Sequence, residues 1–337
     1  MGQQGGGRHD EPQGWRTGPA WREMEGRGRG RRRLKTAAVL VALGAAALVV
    51  VRPELLIDRV TGEAEARRTA AEAPPLPAES VRPTAAPEAA YPDRPTPKEP
   101  FRGSPAAQWA DGAAGIEVPE ATAVGGMSKE AVAEALAKAK QFLVGANLDP
   151  ATLRGERPEA AMALLDPKDE KTRTAMAKAF ERPGRDQDPL DWFTRYDPAE
   201  LKPAGDVVKV RGRMWVEAGE QPGQAHVRAD YSFVYPFTRA GGNPEDVART
   251  IVRRELTFSI ADPDRWEGTP GRLWLFQVDR DVANSSCDRF DGRLHPSFFS
   301  DPDDGGTVPS GPPVDPYDRS RGIRVEGQDG CGTVSRT

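Results

Sequence analysis

Apolar and polar residues alternate with a period of two along much of the second half of the chain. The longest such segment is QAHVRADYSFVYPF at 224–237, where apolar side chains occupy one face and His226, Arg228, Asp230 and Ser232 occupy the other. Three more segments share the pattern, with apolar faces at 208–216, at 252–260 and at Trp274, Phe276 and Val278. Such alternation predicts strands with one face in the core and the other, including His226, in solvent.

Helical periodicity precedes these strands. Ser128 predicts a helix N-cap, and apolar residues follow it at helical spacing as far as Leu143. Two shorter helices are predicted over 158–165 and 167–180, and LDWFTRY at 190–196 predicts a turn or a loop. Helices followed by one-sided strands indicate an α+β fold, with the helices packed on one face of an antiparallel sheet.

The first hundred residues differ from this pattern, because they contain one uniformly apolar run. Residues 36–51 carry no charge, and as a helix they would extend about 24 Å. Leu34 lengthens the run, and flanking Lys35 and Arg52 can extend their charges to the two interfaces, so 34–51 predicts a transmembrane signal anchor. More basic residues precede the run than follow it. The sequence therefore predicts a single-pass cell-membrane protein with a cytoplasmic N-terminus and an extracellular C-terminal domain.

A cleaved export signal is the alternative for the same run. Residues 45–47, AAA, satisfy the small-residue rule for cleavage, and RRRLK at 31–35 partly resembles a twin-arginine signal. Against cleavage, the apolar residues continue from 48 to 51, past the supposed cut. Both interpretations export everything that follows.

Composition predicts how the rest of the chain is organised. Residues 1–33 are a disordered basic cytoplasmic segment suited to anionic lipid headgroups, and we expect the lipid bilayer, not nucleic acid, as its partner. Residues 52–125 are rich in Pro and Ala and predict a disordered linker, in which Trp109 is either an isolated apolar residue or docks on the head. A folded head over 126–300 and a Pro/Gly/Asp-rich tail over 301–337 complete the chain.

Catalytic and metal-binding motifs are lacking in this sequence. No HExxH, GxSxG or Cys-rich spacing occurs, and DPDD at 301–304 does not continue into a calcium-loop pattern. His295 has no evident partner. No cofactor, metal site or catalytic residue is predicted.

Arg254 is the one residue that breaks its local pattern. It falls on the apolar face of its strand, where a guanidinium requires a partner. Either it lies near a strand start or sheet edge and pairs with a carboxylate, or it contacts an anion in a ligand pocket lined by Tyr231 and Tyr235.

Cys287 and Cys331 are the only cysteines. An even count without metal-ligand spacing, in an exported domain, predicts one disulfide. The bond would close a loop of about 45 residues and attach the tail to the head, where GIRVEG at 322–327 could add an edge strand.

The order of helices and alternating strands over 128–299 resembles the SnoaL-like, cone-shaped superfamily, also called nuclear transport factor 2-like. The complete layout is similar to that of actinobacterial envelope proteins such as the Mce-associated membrane proteins. This resemblance implies N-terminal helices packed on a curved antiparallel sheet of about four to five strands, with a pocket between them. Cystatin-like folds share the same pattern.

Two classes of function follow. The first is a non-catalytic binding or accessory module of the cell envelope, acting on an unknown ligand or on another envelope protein. The second is a small exported SnoaL-like enzyme that acts on a small molecule in the cone pocket, through an Asp or a His. Because no inward-facing His or carboxylate is predicted on the four strands, the sequence favours the binding module.

Overall fold

The structure is a computed structural model that describes residues 93–302, 313–323 and 332–337. The predicted cytoplasmic segment, the anchor at 34–51, the linker as far as residue 92, and Cys331 all lie outside these ranges. Within them, no helix combines the length and the apolar character needed to cross a membrane.

Four α-helices lie between residues 129 and 181: α1 (Lys129–Asn147), α2 (Pro150–Leu153), α3 (Glu159–Met162) and α4 (Glu170–Glu181). The predicted cap of α1 is confirmed, because Ser128 Oγ accepts a hydrogen bond from the backbone N–H of Ala131 at 3.2 Å. The segment at 190–196, which was predicted as a turn or a loop, begins inside a short 3-10 helix, Pro189–Asp191.

Six strands form one antiparallel sheet: β1 (Ala110–Asp111), β2 (Leu201–Pro203), β3 (Lys209–Ala218), β4 (Gln224–Arg239), β5 (Ala248–Ala261) and β6 (Trp274–Ala283). The order is β1-β3-β4-β5-β6, and β2 pairs with the far end of β4. The α+β class and the four alternating strands are therefore confirmed. The prediction of four to five strands missed β1 and β2, because two or three residues are too few to show a period.

The predicted apolar face of the sheet forms the main core. Val227, Phe233 and Phe258 are fully buried and pack with Leu136 and Phe142 of α1 in one cluster. Each such side chain stabilises the fold by about 1.5–3 kcal/mol when it is removed from water. Burial between α1 and the sheet thus explains why the apolar residues of both elements fall on single faces.

A β-bulge changes the direction of side chains on β6. Thr257 is paired with Gln277, but the next residue, Phe258, is paired with Leu275, so Phe276 has no opposite residue. Leu275 consequently packs in the core, whereas Phe276 is 44% exposed. The prediction that Phe276 belongs to the apolar face was wrong, because an extra residue in one strand reverses the alternation beyond it.

The second face of the sheet is covered by segments from both ends of the described chain. Trp109 packs edge-on against Tyr317, with ring centroids 5.6 Å apart, and both rings lie over Val234 and Ile251 in a second cluster. The linker prediction was therefore wrong for residues 93–125. The apolar side chains in this segment, Phe101 among them, are too dispersed to form a sequence pattern, but the sheet gathers them.

Ion pairs fix the tail to the same face. Asp230 on β4 accepts hydrogen bonds from Arg253 on β5 at 2.9 Å, and Arg319 of the tail lies 2.7 Å from the same carboxylate. Burial alone would raise the pKa of Asp230, but the two guanidinium groups hold it below its ordinary value. Further along, the backbone N–H of Ile323 donates to Glu255 at 3.0 Å. The tail segment at 313–323 is thus part of the folded domain.

Replacing Trp109 by alanine tests whether this covering segment belongs to the fold. Trp109 is 4% exposed, so the variant should lose about 3–5 kcal/mol of unfolding free energy in chemical denaturation. Val118→Ala, at a side chain that is 43% exposed, is the matched control and should change stability by less than about 1 kcal/mol. Equal effects in the two variants would show that residues 93–125 do not stabilise the sheet.

The disulfide between Cys287 and Cys331 stays a prediction. Cys287 follows β6. The described tail segments at 313–323 and 332–337 are joined by a parallel bridge between Val314 and Val334, and Arg249 on β5 donates to the carbonyl of Thr337. Mass spectrometry of a non-reduced digest should therefore recover the two cysteine-containing peptides as one linked species. Two thiols that react freely with an alkylating reagent in the unreduced protein would contradict the bond.

Candidate functional site

Arg254 lies at the centre of the domain and is completely buried. Its Nε donates to Asn147 Oδ1 at 2.8 Å, its Nη1 to the carbonyl of Asp191 at 2.7 Å, and its Nη2 to Thr194 Oγ1 at 3.3 Å. Burial lowers the pKa of Arg254 to about 10, so the side chain is still protonated at neutral pH. A permanent charge is therefore held by neutral hydrogen-bond acceptors.

Asn147, the last residue of α1, is shared by several of these contacts. Its side-chain oxygen also accepts from Thr194 Oγ1 at 2.9 Å, while its backbone carbonyl accepts from the hydroxyl of Tyr235 at 2.9 Å. The nitrogen of the same side-chain amide, Nδ2, donates to the carbonyl of Leu143 at 3.1 Å. One residue thus joins the end of α1 to β4, β5 and the loop after the 3-10 helix.

Tyr231 has a similar structural role. Its hydroxyl donates to the carbonyl of Glu117 at 3.1 Å, and its ring covers Gly212 on the neighbouring strand. Burial raises the pKa of Tyr231 and of Tyr235 well above the ordinary value. The three side chains that the sequence proposed as ligand contacts, Arg254, Tyr231 and Tyr235, are therefore buried and hydrogen-bonded to other groups of the protein. None of them lines the cleft between α1 and the β5–β6 loop.

The contacts of Arg254 correct both interpretations of the sequence. It is not at a strand start or a sheet edge, because β4 and β6 flank it on either side, opposite Tyr231 and Arg280. Its direct partners are an amide oxygen, a carbonyl and a hydroxyl, not a carboxylate. The side-chain carboxylate of Asp191, whose backbone carbonyl Arg254 binds, instead accepts from Arg280 Nε at 2.7 Å.

Replacing Arg254 by methionine should therefore destabilise the domain. Methionine fills a similar volume but donates no hydrogen bond, and the buried acceptors that it leaves should lower the unfolding free energy by about 3 kcal/mol. Arg173→Met, at an exposed position of α4, is the control and should change stability by less than about 0.5 kcal/mol. A variant as stable as the parent in chemical denaturation would show that the Arg254 contacts are dispensable.

A cleft with a volume of about 330 Å³ lies elsewhere in the domain. The N-terminal half of α1 forms one wall, and the loop at 262–273 between β5 and β6 forms the second. The adjoining ends of β4, β5 and β6 complete it. A second depression runs beside α4 and is lined mainly by polar residues of that helix.

Aromatic rings give the cleft its apolar surface. Trp266 in the loop is 36% exposed and Phe276 is 44% exposed, and both line the cleft together with Trp274. The indole N–H of Trp266 donates to the carbonyl of Pro222 at 3.1 Å, which fixes the ring orientation. Exposed aromatic side chains grouped in one concavity indicate a surface that binds something.

His226 is the most unusual polar group of the cleft. It is 6% exposed, its ring stacks on Phe276 with centroids 5.2 Å apart, and its Nδ1 is buried without a hydrogen-bond partner in the described part of the chain. Burial and the charge of Arg228 lower the pKa of His226. The prediction of a solvated His226 was wrong, because the bulge brings Phe276 over the ring. His295, by contrast, lies 2.7 Å from Asp291 Oδ1.

The loop wall of the cleft is held by Asp166. Its carboxylate accepts from the backbone N–H of Thr269 at 2.6 Å and from the Thr269 hydroxyl at 2.9 Å. Burial by itself would raise the pKa of Asp166, but hydrogen bonds from Lys168 and Thr269 lower it. The loop that carries Trp266 is therefore anchored to the segment between α3 and α4.

Sequence reasoning missed this cleft. Trp266 lies in a turn-rich stretch, ADPDRWEGTPGR, that shows no periodicity. The isolated tryptophan in this loop was the one sequence feature that pointed to an exposed aromatic surface. Among the residues that the structure describes, no group of three or more His, Cys, Asp or Glu side chains could hold a metal ion.

Comparisons with protein-family models, with curated proteins and with solved structures each found no match for this chain. The geometry of the cleft is therefore the basis for proposing a function.

Proposed function

We propose that this protein is a non-catalytic binding module of the cell envelope and that the cleft holds a small ligand. The observation that carries this proposal is His226, a nearly buried imidazole that lines the cleft with an unpartnered ring nitrogen. A buried polar atom without a partner costs free energy, and a bound ligand is one means by which it is satisfied. The adjacent exposed rings of Trp266 and Phe276 supply the apolar contact that such a ligand needs.

The location of the module is the second part of the proposal. The apolar run at 34–51 would anchor the chain in the cell membrane, with the basic segment in the cytoplasm and the folded domain outside. The Pro/Ala-rich residues up to 92 would then separate the cleft from the bilayer. The lipid bilayer is one partner in this arrangement, and another envelope protein is a possible second.

A SnoaL-like origin belongs to the same proposal. Helices that precede an antiparallel sheet and pack on one of its faces support it. The pocket differs from the expectation, however. The Arg254 contacts occupy the middle of the space between α1 and the sheet, and the cleft opens instead beside the β5–β6 loop.

An exported enzyme is the second candidate, and one observation favours it. A histidine with a lowered pKa is neutral near pH 7 and can accept a proton from a substrate bound in the cleft. Its cross-strand neighbour, Glu217, binds Arg228 and does not hydrogen-bond the imidazole. Because no carboxylate among the described residues hydrogen-bonds His226, we favour binding without a chemical step.

The test uses the full chain, recovered from the membrane fraction in detergent. A thermal-shift screen of small polar and amphiphilic compounds should find ligands that raise the melting temperature, and these shifts should disappear in a Trp266→Ala/Phe276→Ala double variant. Val118→Ala should retain them. Recovery of the chain in the soluble fraction would contradict the anchor, and shifts that persist in the double variant would contradict the cleft.

Mass spectrometry of each ligand after incubation distinguishes the two candidates. Unchanged ligand supports a binding module. Conversion that requires His226 would instead establish the enzyme.

A further inference from the structure

We infer that the ligand of the cleft is an organic cation, a substituted ammonium group whose apolar substituents lie against Trp266 and Phe276. This inference rests on the proposed function, since it names the chemistry of the molecule that the same cleft would hold.

The charges that line the cleft support a cationic ligand. Its acidic residues outnumber its basic ones, and they comprise Glu134, Asp166, Glu220 and Glu267 against Lys138 and Arg272. Lys138 Nζ lies 2.5 Å from Glu134 Oε1 and also donates to the carbonyl of Gly271, so its charge is compensated within the protein. The cleft therefore has an excess of negative charge.

Two of the carboxylates supply that excess. Asp166 is occupied by the hydrogen bonds that hold the loop, whereas Glu220 and Glu267 form no ion pair within the described residues. Glu267 immediately follows Trp266, so a carboxylate and an indole lie next to each other on the same wall. An ammonium group placed between them would gain attraction from the carboxylate and from the face of the ring.

The aromatic groups fit the same chemistry. An aromatic ring attracts a cation through the negative potential above its face, and a set of rings beside carboxylates is a known arrangement for substituted ammonium groups. Trp266 offers the ring type that does this best. Phe276 offers a second ring, and His226 stacks behind it.

His226 is compatible with a cation because it is neutral. The groups that influence it are Arg228 and Glu217 on the sheet, and the ring of Phe276 covers it. Burial lowers the pKa of His226, so the imidazole does not place a positive charge against the ligand at neutral pH. An anionic ligand would have to compete with protein groups for the two basic side chains of the cleft, because Lys138 already has partners and Arg272 Nη1 donates to the carbonyl of Ala163.

Isosteric probes provide the test, with binding to the full chain in detergent measured by isothermal titration. The cations are tetramethylammonium, choline and benzyltrimethylammonium, and the neutral counterpart of choline is 3,3-dimethylbutan-1-ol, in which carbon replaces nitrogen. We expect at least one cation to bind, and choline to bind about tenfold more tightly than the alcohol, because the two molecules differ only in charge.

Variants assign the effect to the cleft. The Glu220→Gln/Glu267→Gln double variant should weaken cation binding severalfold, with no change for the neutral alcohol. Trp266→Ala should weaken both. Glu181→Gln, at an exposed position at the end of α4, is the matched charge control and should leave all affinities unchanged.

The outcomes separate this inference from the proposed function. Equal affinity for choline and its neutral isostere, or no binding of the three cations while other compounds still bind in the cleft, would overturn the cationic ligand and leave the binding module intact. If neither the cations nor any compound of the broader screen binds, the proposed function itself fails.

Discussion

A guanidinium that is buried without a carboxylate is the constraint on which the interior of this domain depends. Arg254 needs acceptors from several directions, and they come from the end of α1, from the 3-10 helix after α4, and from the loop that follows it. The position at which α1 ends is thereby fixed, because Asn147 has to present its amide oxygen to β5. Tyr235 binds the backbone of the same residue, so β4 is held in register with the helix as well. The polar interior thus specifies how the helices and the sheet are aligned, which apolar packing by itself specifies less sharply.

The sheet differs from most antiparallel sheets that show strict alternation, because both of its faces are covered. The alternating pattern predicted the four long strands correctly, and it predicted the core face correctly except at Phe276. It also implied that the other face meets water, as such faces usually do. Charge complementarity explains the difference: Asp230 lies between Arg253 on the next strand and Arg319 almost ninety residues further along the chain, and the three bury each other. A charged strand face is indistinguishable in sequence from a solvated one, so the covering segments at 93–125 and 313–323 could not be predicted from periodicity.

The candidate site was predicted less completely than the fold, for a related reason. Arg254 was recognisable because a charge on an apolar face contradicts its surroundings, although the sequence favoured a position near a strand start or a sheet edge. Its partners were not recognisable, since Asn147 and Thr194 are distant in sequence and chemically ordinary. The cleft depends on a single bulge between Thr257 and Phe258, which turns Phe276 outward and places it over His226. A bulge leaves no mark on the hydrophobic pattern other than one misplaced residue, and this is why the cleft could not be predicted although every long strand was.

The contact between Trp109 and Tyr317 has a consequence for the way the protein is made. The strands β3 to β6 follow one another as hairpins, so the sheet can assemble from neighbouring segments soon after each has been synthesised. The second face of the sheet is completed later, because Trp109 packs on Tyr317, which is synthesised some two hundred residues further along the chain. Until then the aromatic side chain of Trp109 and the apolar residues Val234 and Ile251 lack their cover, and exposed apolar surface of this kind is prone to aggregate. The domain is therefore closed only after the tail segment at 313–323 has been synthesised.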